Sequence, residues 1–395
     1  MNFWKNIRKP ILGLAPMDGV TDAAYRFIAA KHGRPDVVLT EFTNVEGLAR
    51  NADIMLDDFI FSEFERPAVA QIYGKEPESF YKIAIVAAEL GFDGVDVNMG
   101  CPAKNVASRG CGAALIRTPE VAKEILRAVK RGLDDWRNGR SAEDLGLKPR
   151  MAMKIRRMNV TRAGKETVTE RGPLPLSVKT RLGYDSIVVE DWVKHLLEEE
   201  PAVISLHGRT LKQMYQGSAD WDAIARAAEV IHQTDTLVLG NGDLQSLQEV
   251  AARVKATGVD GVLIGRAAMG NPWIFRGKEI LKEALDKHSG YFLPEPGVEL
   301  EERFSVLLEH ARAFETIKGG HRFSAMRKHF ASYCRGMPRA AELRNKMFQT
   351  KGSEDVEAVV KDYFQALVSS DFCHGRSPCP PGLGRPSALI TEEPL

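Results

Sequence analysis

The chain of 395 residues has few cysteines, and its five are scattered and odd in number. That pattern argues against a disulfide framework and indicates a reducing compartment. No uninterrupted apolar run approaches the ~20 residues that a membrane helix needs, and Met1–Pro10 lacks the apolar core of a signal peptide. We therefore expect a cytoplasmic protein without a membrane partner.

A strong overall charge is also missing, because 54 basic residues face 53 acidic ones and leave a net charge of +1. Attraction to nucleic acid would have to be local. No G-x-G-x-x-G follows the first apolar run, which argues against a Rossmann dinucleotide-binding domain. Cys373, His374 and Cys379 fall short of a four-ligand zinc site, so we expect no metal.

Eight short apolar runs recur in the first two-thirds of the chain, most of them separated by segments of helical period. Continuous apolar runs indicate parallel strands covered on both faces, and eight such units in series favour a (β/α)8 TIM barrel, an α/β fold. The runs are Ile11–Met17, Val37–Phe42, Ala68–Tyr73, Gly94–Asn98, Leu176–Arg181, Val203–His207, Thr236–Gly240 and Gly261–Gly265.

Polar or chemically versatile residues stand at or just after the end of nearly every run. Since the carboxyl ends of barrel strands meet on one face, we expect an active site there. The residues are Pro16, Met17, Glu41, Gln71, Asn98, Cys101, Lys179, Arg181, His207, Arg209, Asn241, Gly265 and Arg266. Cys101 follows the fourth run in an Asn-x-x-Cys-Pro turn and is either a reactive thiol or a small buried hydrophobe.

Glycine-bearing loops follow the last two runs, at Gly240–Asp243 and at Gly265–Arg266. In barrels of this class such loops bind phosphate through backbone N–H groups. The position suits a phosphorylated cofactor such as FMN, and a substrate phosphate is the competing interpretation.

Residues 138–173 interrupt the barrel pattern with nine basic and four acidic residues. Alternation in Met151–Val160, followed by a turn-like Ala163-Gly164-Lys165, predicts a protruding β-hairpin. This basic insertion is either a solvated loop or an auxiliary phosphate-binding arm.

After a linker at Tyr291–Gly297, residues 299–367 predict a smaller all-α domain, and the Pro- and Gly-rich tail, 369–395, is expected to be disordered. Between Lys318 and Lys351 nine Lys or Arg face one acid, Glu342. This basic stretch, which includes Arg327 and Lys328, is a plausible footprint for a phosphate backbone. Some of its interleaved aromatic residues must be helix core.

The chain resembles the tRNA-dihydrouridine synthases from residue 11 to about residue 350. The resemblance rests on these motifs, in the family's order: Ala15-Pro16-Met17-Asp18-Gly19-Val20-Thr21-Asp22, Asn98-Met99-Gly100-Cys101-Pro102-Ala103-Lys104, Gly112-Ala113-Ala114-Leu115, Lys179-Thr180-Arg181-Leu182-Gly183, His207-Gly208-Arg209-Thr210, Asn241-Gly242-Asp243 and Ile264-Gly265-Arg266-Ala267-Ala268.

The resemblance implies an FMN-binding TIM barrel over residues 1–290, a tRNA-binding helical domain over 299–367, and NADPH or NADH as reductant. Cys101 would protonate C5 of a uridine while reduced FMN passes hydride to C6; Cys111 is the competing thiol. Substrate would be held by Asn98, Lys104, Arg181, Arg327 and Lys328. FMN would be held by Pro16, Met17, Gln71, Lys179, His207, Asn241, Gly242, Asp243, Gly265 and Arg266, although Met17 alone would also suit ordinary packing.

Two other functions remain open on the residues. A small-molecule FMN-dependent pyrimidine or ene reductase related to dihydroorotate dehydrogenase would share the barrel, but a free pyrimidine needs no basic helical domain. A non-catalytic RNA-binding module would not need Cys101, Lys179 and His207. No protein partner is predicted, and the basic insertion and the tail leave the modified uridine position open.

Overall fold

The computed structural model describes residues 2–287 and 297–368, and the chain divides into two compact units, with the boundary in the sequence between Pro296 and Gly297. Most of the expected linker, the expected tail and the Cys373–Cys379 segment lie outside the described residues. In the described part, no helix has both the length and the apolar composition to cross a membrane.

The first unit is a TIM barrel, as predicted. Eight parallel strands form a closed ring, because the pairing of β2 with β4 joins the two ends of the sheet, and the two-residue β3 extends β4. The strands are β1 Ile11–Leu14, β2 Val37–Leu39, β3 Thr43–Asn44, β4 Ala68–Tyr73, β5 Gly94–Met99, β6 Leu176–Arg181, β7 Val203–His207, β8 Leu237–Asn241 and β9 Gly261–Ile264.

Helices cover the outside of the barrel and pack against the outward-facing side chains of the strands. Their bounds are α1 Ala23–Gly33, α2 Val45–Ala49, α3 Pro77–Glu89, α4 Lys104–Ala107, α5 Pro119–Arg137, α6 Pro149–Ala163, α7 Val189–Leu197, α8 Trp221–Ile231, α9 Leu247–Thr257 and α10 Lys278–Asp286. Alternate strand residues therefore fall into two buried clusters. Leu12, Val38 and Val238 pack under the helices, whereas Ile11, Val37 and Leu239 fill the barrel interior with Trp4.

The second unit consists of helices, which confirms the predicted C-terminal helical region: α11 Leu300–Lys318, α12 Arg327–Tyr333, α13 Ala340–Met347 and α14 Ser353–Val368. Phe304 on α11 packs against the rings of Tyr363 and Phe364 on α14, with centroids 5.4 and 5.2 Å apart. Arg312 and Glu357 join the same two helices by an ion pair of 2.8 Å.

The β-hairpin expected at Met151–Val160 is wrong, because this segment lies within helix α6. Met151 and Ile155, four residues apart, are buried, while Met153 between them is 63% exposed. Pro149 stands at the first turn, and Gly164 ends the helix in the left-handed conformation at φ 68°. These are the usual start and stop signals of a helix, and they outweigh a short apolar alternation.

Much of the insertion's positive charge is engaged within the barrel unit. Lys154 pairs with Asp57 at 2.7 Å, and Arg162 pairs with Glu63 at 2.6 Å. Arg156 pairs with Glu143 inside the insertion itself. The ion pairs of Lys154 and Arg162 attach helix α6 to the barrel surface.

Candidate active site

A cavity of about 510 Å³ opens at the carboxyl ends of the barrel strands. It brings together most of the site residues expected from the sequence: Pro16, Met17, Asn98, Cys101, Lys179, Arg181, His207, Asn241, Gly242, Asp243, Gly265 and Arg266. Gln71 is fully buried and lies one layer deeper in the barrel. Lys104 is exposed at the start of α4 and is not among the lining residues.

The turn after β5 is shaped by the side chain of Asn98. Its Oδ1 accepts hydrogen bonds from the backbone N–H groups of Gly100 (3.1 Å) and Cys101 (2.9 Å). Its Nδ2 donates to Gln71 Oε1 at 2.9 Å. One amide thus ties the end of the strand to the turn that carries the thiol.

Cys101 is 7% exposed and lines the cavity. Burial raises the pKa of its thiol, so the thiol is protonated at neutral pH. Gly112 supports the turn from behind: it has φ 61°, and a Cβ there would stand 3.0 Å from the Cys101 carbonyl oxygen. Cys111 is also buried, with its pKa raised by burial to about 11, but it is not among the residues that line the cavity.

A polar layer lies beneath the cavity, where the strand register places Gln71 beside Asp96 and Asp96 beside Ser177. Asp96 is 1% exposed. It accepts from Gln71 Nε2 at 2.7 Å and from Ser177 Oγ at 2.6 Å. Burial raises the pKa of Asp96 to about 6, and the two hydrogen bonds and the charge of Lys179 limit that rise.

Lys179 and His207 differ in charge although both line the cavity. Burial, with Arg181 beside it, lowers the pKa of Lys179 to about 8, so it remains mostly protonated at pH 7. Its Nζ donates to Asn241 Oδ1 at 3.1 Å. Burial and the neighbouring Lys179 and Arg181 lower the pKa of His207 to about 2, so this ring is neutral. Of the two, Lys179 supplies positive charge and His207 supplies a neutral donor or acceptor.

Arg181 links two loops at the cavity edge. Its Nε donates to Gly100 O at 2.7 Å, and its Nη1 donates to Thr210 O and Met214 O at 3.0 and 3.1 Å. The turn after β5 and the loop after β7 are therefore held together by one side chain that is 4% exposed.

The predicted phosphate loops form the opposite side of the cavity. Gly242 has φ 135°, and a Cβ there would lie 2.7 Å from Ala219 Cβ, which explains the glycine. Within residues 2–287, the backbone N–H groups of Gly242 and Gly265 have no hydrogen-bond partner. They are available to an anion.

Asp243 organises the arginines next to these loops. Its Oδ2 accepts from Arg209 Nη2 at 2.6 Å, and its Oδ1 accepts from Arg266 Nη2 at 2.7 Å. A carboxylate engaged by both arginines fixes the position of Arg266, which is 57% exposed, whereas Asp243 itself would repel an anion. The expected role of Asp243 beside a phosphate is therefore indirect in this geometry.

Sequence reasoning missed three contributors to the site. Asp96 stands two residues before Asn98 on the same inward face of β5, and the two-residue period of a strand was the signal that could have found it. Met214 and Tyr215 line the cavity from the loop after β7, and Tyr215 is 65% exposed. Loop residues such as Met214 and Tyr215 follow no periodic pattern, so the sequence alone does not identify them as part of the site.

The basic stretch of the second unit is largely a surface feature. Arg322, Arg327 and Arg344 are exposed, Lys328 is partly exposed, and Glu342 pairs with Arg339 and Lys346. Phe323, Phe330 and Tyr333 are buried, as is His329. Most of the charged side chains of this stretch therefore face solvent, whereas these four aromatic rings do not.

The family model and the relatives found by sequence name the same family. The family model described as dihydrouridine synthase matches residues 13–136 and 155–368. A probable tRNA-dihydrouridine synthase 2 of Bacillus subtilis is 34% identical over 92% of this chain and 96% of its own length. A probable tRNA-dihydrouridine synthase of Staphylococcus aureus is 33% identical over 94% of this chain and 98% of its own. Among solved structures, a DHODH of Eimeria tenella in complex with ferulenol is 12% identical, with a TM-score of 0.42, over 72% of this chain and 83% of that one.

Proposed function

The chain belongs to the dihydrouridine synthase family, and from that premise we propose that it reduces the C5–C6 double bond of specific uridines in tRNA. The enzyme class that follows is an FMN-dependent oxidoreductase acting on a CH–CH bond. The observation that carries the proposal is the cavity itself, where a protonated thiol, an oriented amide and two glycine loops with unpartnered N–H groups converge.

The residues of the cavity fit an FMN molecule. The unpartnered N–H groups of Gly242 and Gly265, with Arg266 beside them, suit its phosphate. Lys179, His207 and Asn241 lie on the strand ends, where they suit the polar edge of the flavin ring. Pro16 and Met17 add apolar surface from the loop after β1, and the volume of about 510 Å³ lies in the ordinary range of cofactor sites.

Bound FMN in its reduced form would supply the hydride chemistry at C6 of the uracil. Cys101 then serves as the acid: its S–H proton passes to C5, and burial keeps that proton on the sulfur until it is needed. Asn98 holds the Cys101 turn with its oxygen and keeps one N–H for the uracil edge. The positive charge of Lys179 stabilises negative charge that develops in the ring system beside it.

Substrate access requires a structured RNA to present one base to the cavity. Extruding that base costs a few kcal/mol of stacking. We propose that Tyr215 and Met214 offer apolar surface to it and that Arg181 keeps the two loops around it closed. Lys104, exposed beside the Cys101 turn, is proposed to meet the RNA backbone.

The second unit is proposed to bind tRNA phosphates through its basic stretch, which includes Arg327 and Lys328. The gain from these contacts would offset the cost of extruding the base. NADPH, or NADH, is proposed as the source of electrons, and the cytoplasm as the place of action.

The test combines flavin content with modification of tRNA. Purified protein should be yellow and be bleached by NADPH, and tRNA from a deletion strain should gain dihydrouridine when incubated with it.

Cys101→Ala should retain FMN yet form dihydrouridine at least about 100-fold more slowly, the usual contribution of a general acid. Cys111→Ala is the matched control and should stay close to wild type. Full activity in Cys101→Ala would remove Cys101 from the proposed role, and colourless, inactive wild-type protein would refute the proposed function.

A further inference from the structure

We propose that Asp96 is a positioning residue that fixes the orientation of the Cys101 turn through Gln71 and Asn98. The proposal rests on the proposed function only in the role it gives to Cys101. Three consecutive hydrogen bonds of 2.7, 2.9 and 2.9 Å lead from Asp96 to the Cys101 N–H. Each of the three side chains on this path faces the barrel interior and is at most 7% exposed.

The direction of the path follows from the chemistry of its first member. An ionised carboxylate can only accept hydrogen bonds, so Gln71 must turn its NH2 group toward Asp96. The Gln71 oxygen then faces Asn98, which must in turn present its own NH2 group to Gln71. The Asn98 oxygen is thereby left facing the turn, where two backbone N–H groups need an acceptor.

Without the carboxylate this order is fixed from one end only, by the N–H groups of Gly100 and Cys101 that donate to Asn98. Each amide can rotate by half a turn and exchange its donor and acceptor, and nothing else on the path is restricted to accepting. A reversed Asn98 would point its NH2 group at the N–H groups of Gly100 and Cys101, which leaves two buried donors unpaired. Asp96, the one group on the path that can only accept, thus stabilises the same amide arrangement from its other end.

Asp96 also acts on the charge of Lys179. Asn98 and Lys179 are neighbours in the strand register, and the negative charge of Asp96 raises the pKa of Lys179. The other groups facing Lys179 are Arg181 on its own strand, which lowers that pKa, Cys101 after β5, which raises it, and the neutral His207 and Asn241 on β7 and β8. A change at Asp96 should therefore reach both the thiol and the lysine.

The test compares Asp96→Asn with Ser177→Ala in the full-length protein as purified. Both substitutions remove part of the Asp96–Ser177 contact, but only Asp96→Asn removes the obligatory acceptor. At about pH 8.5, where Asp96 stays ionised even without the Ser177 hydrogen bond, we expect iodoacetamide to alkylate Cys101 about tenfold faster in Asp96→Asn, because the hydrogen bonds that hold the turn are weakened, and at the wild-type rate in Ser177→Ala. Cys334, buried in the other unit, serves as the internal control in every sample.

A second substitution keeps the proposal testable if Asp96→Asn does not fold. Gln71→Leu interrupts the path one residue later and should increase Cys101 alkylation to a similar extent, and the double variant should add nothing further. In the assay for dihydrouridine, the alkaline midpoint of Asp96→Asn should move to lower pH, a change that loosened packing alone would not produce. Equal alkylation of Cys101 in wild type, Asp96→Asn and Gln71→Leu would overturn the proposal. The alkylation result needs neither flavin nor tRNA, so it stands even if the proposed function fails.

Discussion

Lys179 is the residue at which the charge of the cavity depends most directly on pH. Its pKa of about 8 lies below the usual value for a lysine because burial and Arg181 disfavour the charged form. His207 is already neutral, with a pKa of about 2, and does not titrate near neutral pH. The positive charge beside Asn241 is therefore present below about pH 8 and is lost above it.

We expect the rate of dihydrouridine formation to fall as pH rises through about 8, because Lys179 then loses its proton. In Lys179→Arg the charge persists, since a guanidinium does not lose its proton in this range, so the alkaline decline should shift to higher pH. Lys179→Met should be slow at every pH. The measurement is the single-turnover rate between pH 6 and 9.5 with flavin content determined in parallel. A decline near pH 8 that persists unchanged in Lys179→Arg would assign the titration to another group.

Which residues line the cavity could largely be predicted from sequence, because parallel barrel strands present their carboxyl ends to one face. Lys179, His207 and Asn241 were found in this way, and the structure places all three on one cavity. How each residue acts there could not be predicted. Gln71 donates to Asp96 and accepts from Asn98, contacts that join residues 25 and 27 positions apart and depend on strand register.

Helix α6 shows how far local sequence predicts the type of a secondary-structure element. Its alternating apolar residues predicted a hairpin, whereas Pro149 and Gly164 are the signals of a helix. Several strand bounds followed directly from the apolar runs, as with β4 at Ala68–Tyr73 and β6 at Leu176–Arg181. A short segment whose apolar residues fit both a helical and a strand period adopts the structure that packs better. In α6 the helix buries Met151 and Ile155 against the barrel.

The burial pattern of α6 gives a direct test of its helical structure. Ile155→Ala should lower the free energy of unfolding by about 2–4 kcal/mol, because it leaves a cavity at a residue that is 1% exposed. Met153→Ala, at a residue that is 63% exposed, should change it by about 0.5 kcal/mol or less. A strand would place residues 151, 153 and 155 on one face, so similar losses at Met153 and Ile155 in chemical denaturation would contradict the helix.

Charge is distributed unevenly over the whole molecule although its net value is only +1. Between Lys318 and Lys351 the excess of basic over acidic residues is eight, and several of these side chains are exposed. In the basic insertion, by contrast, Lys154 and Arg162 are paired with acids of the barrel. The net charge of the whole chain does not reveal the basic excess between Lys318 and Lys351. The structure shows that this stretch exposes much of its charge, whereas the insertion pairs much of its charge with acidic residues.

If the second unit grips tRNA, removal of exposed charge from the basic stretch should flatten the salt dependence of binding. For Arg327→Gln with Lys328→Gln, we expect the slope of log K against log salt to decrease by about 1.4–1.8, the value for two lost phosphate contacts. Arg312→Gln, which removes a charge paired with Glu357 on the same unit, is the control and should leave the slope nearly unchanged. Filter binding of tRNA between 50 and about 300 mM salt measures the slopes. Flavin reduction by NADPH should be equal in all variants, because the cavity lies entirely on barrel residues. Equal slopes in wild type and in the double variant would assign the tRNA contact to another surface.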